Sequence, residues 1–174
     1  MVSVNVAKNS GRNNLSRLGL YALAVIVVFI DQVTKSWAES ELVFAQPVFV
    51  LPQLDWLLLY NKGMAFSFLS DAGGWQRWFL SAVAAIASIV FAVWIWRLQP
   101  QQKLLGFALA FVLAGALGNL YDRIMLGHVV DFISVYYQQW RWPSFNIADS
   151  SITIGAALLI IDAFKNGDGE EVSA

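Results

Sequence analysis

Four stretches of the chain are almost wholly apolar. Residues 18–37, 75–96, 104–121 and 147–164 each supply about twenty mostly apolar residues, enough for a helix to cross a bilayer. Between the first two the pattern changes. Residues 42–51 and 54–60 are short apolar, β-favouring runs punctuated by Pro47 and Pro52, and they predict strands. Tyr60-Asn61-Lys62-Gly63 is a turn signal, after which residues 64–69 resume an apolar run. The expectation is a small sheet over 42–69, outside the hydrocarbon and resting on the membrane surface.

The polar segments between and beyond the spans are short. Residues 1–17, with Lys8, Arg12 and Arg17, read as a polar, flexible tail, and 165–174 as a second one. A basic start followed by an apolar run also resembles a secretory signal peptide, but no small-x-small cleavage site follows Ile30 and further spans do. Trp75, Trp78, Trp94 and Trp96 bracket the second span as interfacial anchors. Gly106, Ala110, Ala114, Gly115 and Gly118 give the third span small-residue faces for close packing. Lys8, Arg12, Arg17, Arg97, Lys103 and Lys165 are concentrated on the short segments. The positive-inside rule therefore puts both termini in the cytoplasm and the sheet outside. The predicted fold is a single all-α membrane domain over 18–164, a bundle of four transmembrane helices. It carries a small extracytoplasmic β-sheet, and a short outer segment connects the last two spans.

Composition narrows the function. Of 174 residues, 58% are hydrophobic, and mean hydropathy is +0.58, which suits an integral membrane protein. A net charge of −1 excludes a generally basic, nucleic-acid-binding surface. The absence of cysteine removes disulfides, thiolate metal sites and a cysteine nucleophile. A single histidine argues against a zinc site built on imidazoles. Ser67, Ser70 and Ser144 show no nucleophile-elbow pattern.

Ionisable groups are dense in 118–149, where Asp122, Arg123, His128, Asp131, Arg141 and Asp149 stand between two spans. Carboxylates beside membrane helices are costly and call for a reason. Asp131 lies in Val129-Val130-Asp131-Phe132-Ile133, and such apolar flanks desolvate a carboxylate and raise its pKa. Asn146 is positioned as the N-cap of the last span, which makes Asp149 its third residue. From there its carboxylate can reach back to the cap and meet the positive end of the macrodipole. Two carboxylates in contrasting surroundings are what acid–base activation of water requires. If they meet, they titrate as one coupled pair.

Other groups have plainer readings. Asn119, Asp122 and Arg123 close the third span, at spacings that put Asn119 beside both others; Asp122 and Arg123 also fit residues where a helix meets water. Asp31 and Lys35 share a helix face, as an interfacial ion pair with Lys35 snorkelling to the headgroups, or as a buttress beneath a site. His128 and Arg141 read as interfacial residues. Asn61 and Gly63 are turn formers that also allow close backbone approach to a substrate.

Five blocks, in order, carry a resemblance. They are Asp31-Gln32-Val33-Thr34-Lys35, Asn61-Lys62-Gly63-Met64-Ala65-Phe66-Ser67, Gly118-Asn119-Leu120-Tyr121-Asp122-Arg123, Val129-Val130-Asp131-Phe132 and Phe145-Asn146-Ile147-Ala148-Asp149-Ser150. The chain resembles the lipoprotein signal peptidases (signal peptidase II), bacterial intramembrane aspartic proteases, from about Leu18 to Phe164. Met64 departs from the pattern, which usually has alanine there.

The resemblance implies cleavage of prolipoproteins just before a cysteine that already carries a diacylglyceryl group. It implies Asp131 and Asp149 as the catalytic dyad, with Asn61, Gly63, Asn119, Asp122, Arg123 and Asn146 around substrate and dyad and Asp31 and Lys35 as a supporting pair. It also implies no cofactor, membrane lipid and lipidated prolipoproteins as partners, a monomer, and a place in the bacterial inner membrane with the site near the periplasmic face.

Two other classes compete. In a small proton-coupled carrier, membrane carboxylates form a relay, but repeated halves are missing and the acidic pair clusters at one interface. A scaffold without chemistry would leave both aspartates silent in any processing assay.

Overall fold

A computed structural model of the protein describes residues 3–63 and 74–167, with side chains over 17–63 and 74–165. In order the elements are α1 (Ser3–Glu41), β1 (Val48–Leu51), β2 (Leu54–Asn61), α2 (Trp75–Arg97), α3 (Lys103–Met125), β3 (Val129–Tyr137), β4 (Trp140–Arg141) and α4 (Ile147–Gly167). Segments Arg17–Glu41, Trp75–Arg97, Lys103–Met125 and Ile147–Lys165 are each long and apolar enough to cross a membrane. The chain is a multi-pass membrane protein.

Helix α3 is the axis of the bundle. In its most apolar window 67% of residues are buried, against 17% in each other span, and it packs on α1, α2 and α4. Small residues permit this. A side chain at Gly115 would collide with the Ala148 carbonyl and Ile152 of α4, and one at Gly155 would sit 2.7 Å from the Ala108 carbonyl. A Cβ at Gly106 would come within 2.8 Å of Leu20. The small-residue faces expected of the third span are therefore contact faces, packed by close approach rather than by large side chains. Ala24, Ile95, Leu98, Leu105, Leu109 and Leu113 form the core where α1, α2 and α3 meet.

The sheet is larger than the sequence pattern suggests. Its order is β1-β2-β3-β4, all antiparallel, so the outer segment between the last two spans is not a mere connection. β3 reads Val-Val-Asp-Phe-Ile-Ser-Val-Tyr-Tyr, rich in β-branched and aromatic residues, and this favours a strand. β1 starts at Val48, since residues 42–47 form a turn held by Ala45 N–H to Leu58 O and Gln46 N–H to Val43 O. The apolar run over 64–69 lies outside the described residues. Between β2 and β3 the register shifts from Trp56↔Ile133 to Leu59↔Asp131, an extra residue in β2 of the bulge type. A second apolar cluster, Ala38, Leu58, Val130 and Phe132, seats the sheet on the end of α1, with Trp37 edge-on to Trp56 and Phe132.

The helix ends also differ from the pattern. α1 reaches back to Ser3, where a flexible tail is expected; no proline interrupts the chain there. α3 runs to Met125 rather than Tyr121, and α4 to Gly167. The longer α3 carries Asp122 and Arg123 inside the helix instead of at its frayed end.

Candidate active site

The site is assembled where three chain segments close on one another. Phe145 pairs with Ile133 on the open edge of β3, its carbonyl accepting from Phe132 and Ile133 N–H. This fixes residue 146 beside residue 131 and starts α4 against the sheet. Asn146, fully buried, caps α4 as expected: its Oδ1 accepts the Asp149 N–H at 2.8 Å. The Asp149 carboxylate does not reach back to the cap. Its Oδ1 instead accepts from Asn119 Nδ2 on α3, at 2.7 Å. The neighbouring helix supplies a donor closer to hand than the cap's own backbone.

Asp131 is 3% exposed, and both its oxygens are held by amides. Asn146 Nδ2 donates to Oδ1 at 2.8 Å, and Asn61 Nδ2 donates to Oδ2 at 3.2 Å. Burial pushes its pKa up to about 7, and the Asp149 charge adds to the rise, against the opposing hydrogen bonds of Asn61 and Asn146. Asn146 thus touches both aspartates, one through its side-chain amide and one through the helix it caps. Asn119 closes the circuit, donating to Asp149 and accepting from Asn146 Nδ2 at 3.4 Å and Lys35 Nζ at 3.2 Å. Asn61 also accepts the Gly63 N–H at 3.0 Å, a local turn that presents its amide to Asp131.

Beneath this lies a second, closed group. Lys35 Nζ is 2.8 Å from both Asp31 Oδ2 and Asp122 Oδ2, and all three residues are at most 2% exposed. Gln32 Nε2 donates to Asp122 Oδ1 at 2.9 Å and to Asp31 Oδ2 at 3.1 Å. Asp31 Oδ1 accepts the Ala148 N–H at 2.8 Å in the first turn of α4, and Asp122 Oδ2 accepts Val130 N–H at 3.2 Å. Gly118 makes room, since a Cβ there would stand 2.7 Å from Asp31 Oδ2. The interfacial reading of Asp31 and Lys35, with lysine in the headgroups, is therefore corrected. So is the reading of Asp122 as a water-facing helix end. Lysine stays buried because two carboxylates meet it there.

Above, Asp131 and Asp149 open onto a cavity of about 1250 Å³. Asp131, Asp149, Asn61, Asn119 and Arg123 line it, with Trp140, Arg141 and Trp142 at its sheet end. Arg123 is half-buried, within electrostatic reach of Asp131 and Asp149. Its Nη1 donates to Asn119 O at 3.3 Å and its Nη2 to Gly63 O at 3.5 Å. Every site residue expected from the sequence thus falls in one of two adjoining groups. Arg141 is more than an interfacial residue: it donates to Asp55 Oδ2 at 2.8 Å and Ser134 Oγ at 2.6 Å and lies over Tyr136. His128 packs on the Tyr60 ring at 4.3 Å, and burial lowers its pKa.

Sequence reasoning missed Gln32, whose amide joins Asp31 and Asp122, and Asp55, the partner of Arg141. Gln32 sits one residue off the Asp31–Lys35 helix face, so spacing hid it. Asp55 sits in a run read only for its apolar residues.

Comparison with known proteins identifies the family. The pattern of the family described as Signal peptidase (SPase) II matches residues 23–165. A lipoprotein signal peptidase of Acinetobacter baumannii is 55% identical over 152 residues, covering 87% of this chain and 85% of that one. One from Pseudomonas paraeruginosa is 47% identical over 163 residues, covering 92% and 96%. Among solved structures, a bacterial membrane enzyme determined by the in meso method superposes with a TM-score of 0.78 at 33% identity, covering 87% of this chain and 91% of that one. The four-span bundle, the sheet and these likenesses agree, and the chain belongs to the signal peptidase II family, the lipoprotein signal peptidases.

Proposed function

We propose that this peptidase removes signal peptides from diacylglyceryl-modified prolipoproteins, cutting before the lipidated cysteine, with Asp131 and Asp149 activating the attacking water. The observation that carries this reading is the pairing of two carboxylates on one cavity wall, linked through Asn146 and Asn119, with Asp131 pushed up to about 7. At neutral pH such a pair shares one proton, so a carboxylate and a carboxylic acid are available together. The carboxylate takes a proton from water as its oxygen attacks the scissile carbonyl carbon. The acid protonates the carbonyl oxygen; as the C–N bond breaks, the proton gained from water passes to the departing amine, and a hydroxyl of the collapsing gem-diol returns its proton to the pair as the product C=O forms. No covalent acyl-enzyme forms. Arg123 and the Asn61–Gly63 turn face the same space, suited to holding peptide carbonyls.

The concentration of basic residues on the short segments supports cytoplasmic termini and a site near the outer face; the family likeness supports residence in the bacterial inner membrane, which makes that face periplasmic. There acyl chains arrive from the lipid and water from outside, to an enzyme acting as a monomer. The test is cleavage of a lipidated prolipoprotein by reconstituted enzyme. Asp131→Asn and Asp149→Asn should each lower kcat by about 10²–10⁴-fold while the protein stays folded and inserted. Near-normal cleavage by either variant would sink the dyad.

A further inference from the structure

Arg77 stands where a cation is least expected. It is the third residue of α2, and the positive end of a helix dipole disfavours a cation in the first turn. Its guanidinium turns to another helix instead. Nε donates to Arg123 O at 2.6 Å and Nη2 to Ile124 O at 2.8 Å, two carbonyls in the last turn of α3 that have no later helical N–H to accept. The following N–H groups are otherwise engaged: Leu126 and Gly127 both donate to Asp122 O, at 2.7 and 3.1 Å. Gly127 has φ +84 and no side chain, and a Cβ there would press on Arg77 Nη1 at 3.2 Å. Trp78 lies under the guanidinium at 4.8 Å and helps to fix its plane. The last turn of α3 is therefore clamped by α2, at the residue whose own side chain faces the dyad.

We infer that Arg77 is a positioning residue for the peptidase reaction, holding the backbone of Arg123 so that the Arg123 guanidinium stays over the cavity shared by Asp131 and Asp149. The proposal rests on the peptidase reading above. Arg123 has only long bonds of its own, 3.3 and 3.5 Å, so its direction depends on the backbone that carries it. The charged groups around it are Asp122 on its own helix, Asp131 on β3 and Asp149 on α4. Lys35 of α1 is tied to Asp122, and Lys62 lines the same cavity. Arg123 thus stands as a cation offered to the dyad beside Lys35, whose charge also acts on Asp131, and moving it weakens the preference of the dyad for its ionised form.

The experiment compares wild type, Arg77→Ala and Arg77→Lys as full-length enzyme in proteoliposomes, cleaving a lipidated prolipoprotein across pH, with Asp131→Asn alongside. For Arg77→Ala, kcat should fall about 10- to 100-fold, the magnitude of a misplaced active-site group, with a smaller change in KM. The acid limb of its kcat–pH profile should move to higher pH. Arg77→Lys keeps the charge but loses the two-pronged fork, so its limb should move in the same direction with a smaller fall in kcat. A merely structural role would lower yield or melting temperature and leave the profile of the surviving enzyme in place. Wild-type profiles in both variants would overturn the inference. Cleavage unaffected by Asp131→Asn would overturn the dyad reading, and with it the target that Arg77 is held to serve.

Discussion

Two carboxylate groups lie one above the other in this protein, and they are resolved in opposite ways. Asp31 and Asp122 share a lysine at 2.8 Å from each and are closed off, with Gln32 and the backbone N–H groups of Ala148 and Val130 completing their shells. Among the described residues no cation makes an ion pair with Asp131 or Asp149; amides of Asn61, Asn146 and Asn119 hold them, and they face a cavity. A lysine pairs a buried carboxylate and fixes it in place, whereas an amide orients it and leaves its proton to the surroundings. The first group fixes geometry: through Ala148 it pins the first turn of α4, which carries Asp149. The second is left free to exchange protons. Asn119 is the link, accepting from Lys35 below and donating to Asp149 above.

The sharpest way to break the contrast is to remove the lysine. Lys35→Met leaves two carboxylates, each at most 1% exposed, without their cation. Breaking a buried pair in this way costs about 3–5 kcal/mol, so thermal unfolding in detergent should show a large loss of stability at neutral pH. Unfolding like wild type would mean that the triad is hydrated and that the proposed division of labour is wrong. The double variant Lys35→Met with Asp31→Asn should recover part of the loss by removing one stranded charge.

How far this was legible in the sequence follows from range. The four spans are local in pattern, and their composition gives them away. The N-cap at Asn146 and the place of Asp149 as third residue of α4 follow from three residues of spacing. The burial of Asp31, Lys35 and Asp122 does not, because it depends on α1, α3 and β3 closing over a stretch of chain some ninety residues long, as the Gln32–Asp122 bond with its separation of 90 shows. β3 was hidden for another reason. The charges of 118–149 mask the strand signal of Val129–Tyr137, whose β-branched and aromatic residues pair with β2. Asp149 was placed correctly but given the wrong partner, since no spacing rule brings in Asn119 from another helix.

The dyad side of the contrast is sharpened by a stability measurement. Asp131 rises from 3.8 when unfolded to about 7 when folded, so the native state binds its proton more tightly. Its contribution to stability is fully present below the unfolded value, declines as pH rises, and is gone once pH passes about 7. Asp131→Asn removes that decline. At pH 8 it should be more stable than wild type by about 1–2 kcal/mol, less than the full shift implies because one new N–H must face an amide donor. The difference should shrink towards pH 4. Equal melting temperatures at both pH values would show that Asp131 is not desolvated in the folded state. A variant that gains stability while losing cleavage is the signature of a residue kept for chemistry.

A third acid–base pair, at the rim, calibrates the other two. Arg141 donates to Asp55 and Ser134, but its side chain is 39% exposed, unlike the 3% of Lys35. Solvent screens such a pair, and exposed pairs contribute about 0–1 kcal/mol. Arg141→Ala should therefore lower unfolding stability by no more than about 1 kcal/mol. The effect should weaken in high salt, where the Lys35 triad, cut off from ions, is indifferent. The kcat–pH profile should stay in place, because the Arg141 guanidinium is committed to Asp55 and Ser134 rather than to the dyad. A loss as large as that of Lys35→Met would mean that the Asp55 end of the pair governs, its carboxylate stranded in the sheet at 6% exposure. Asp55→Asn combined with Arg141→Ala would then restore stability, and the contrast between closed and open carboxylates would extend from the membrane helices into the sheet.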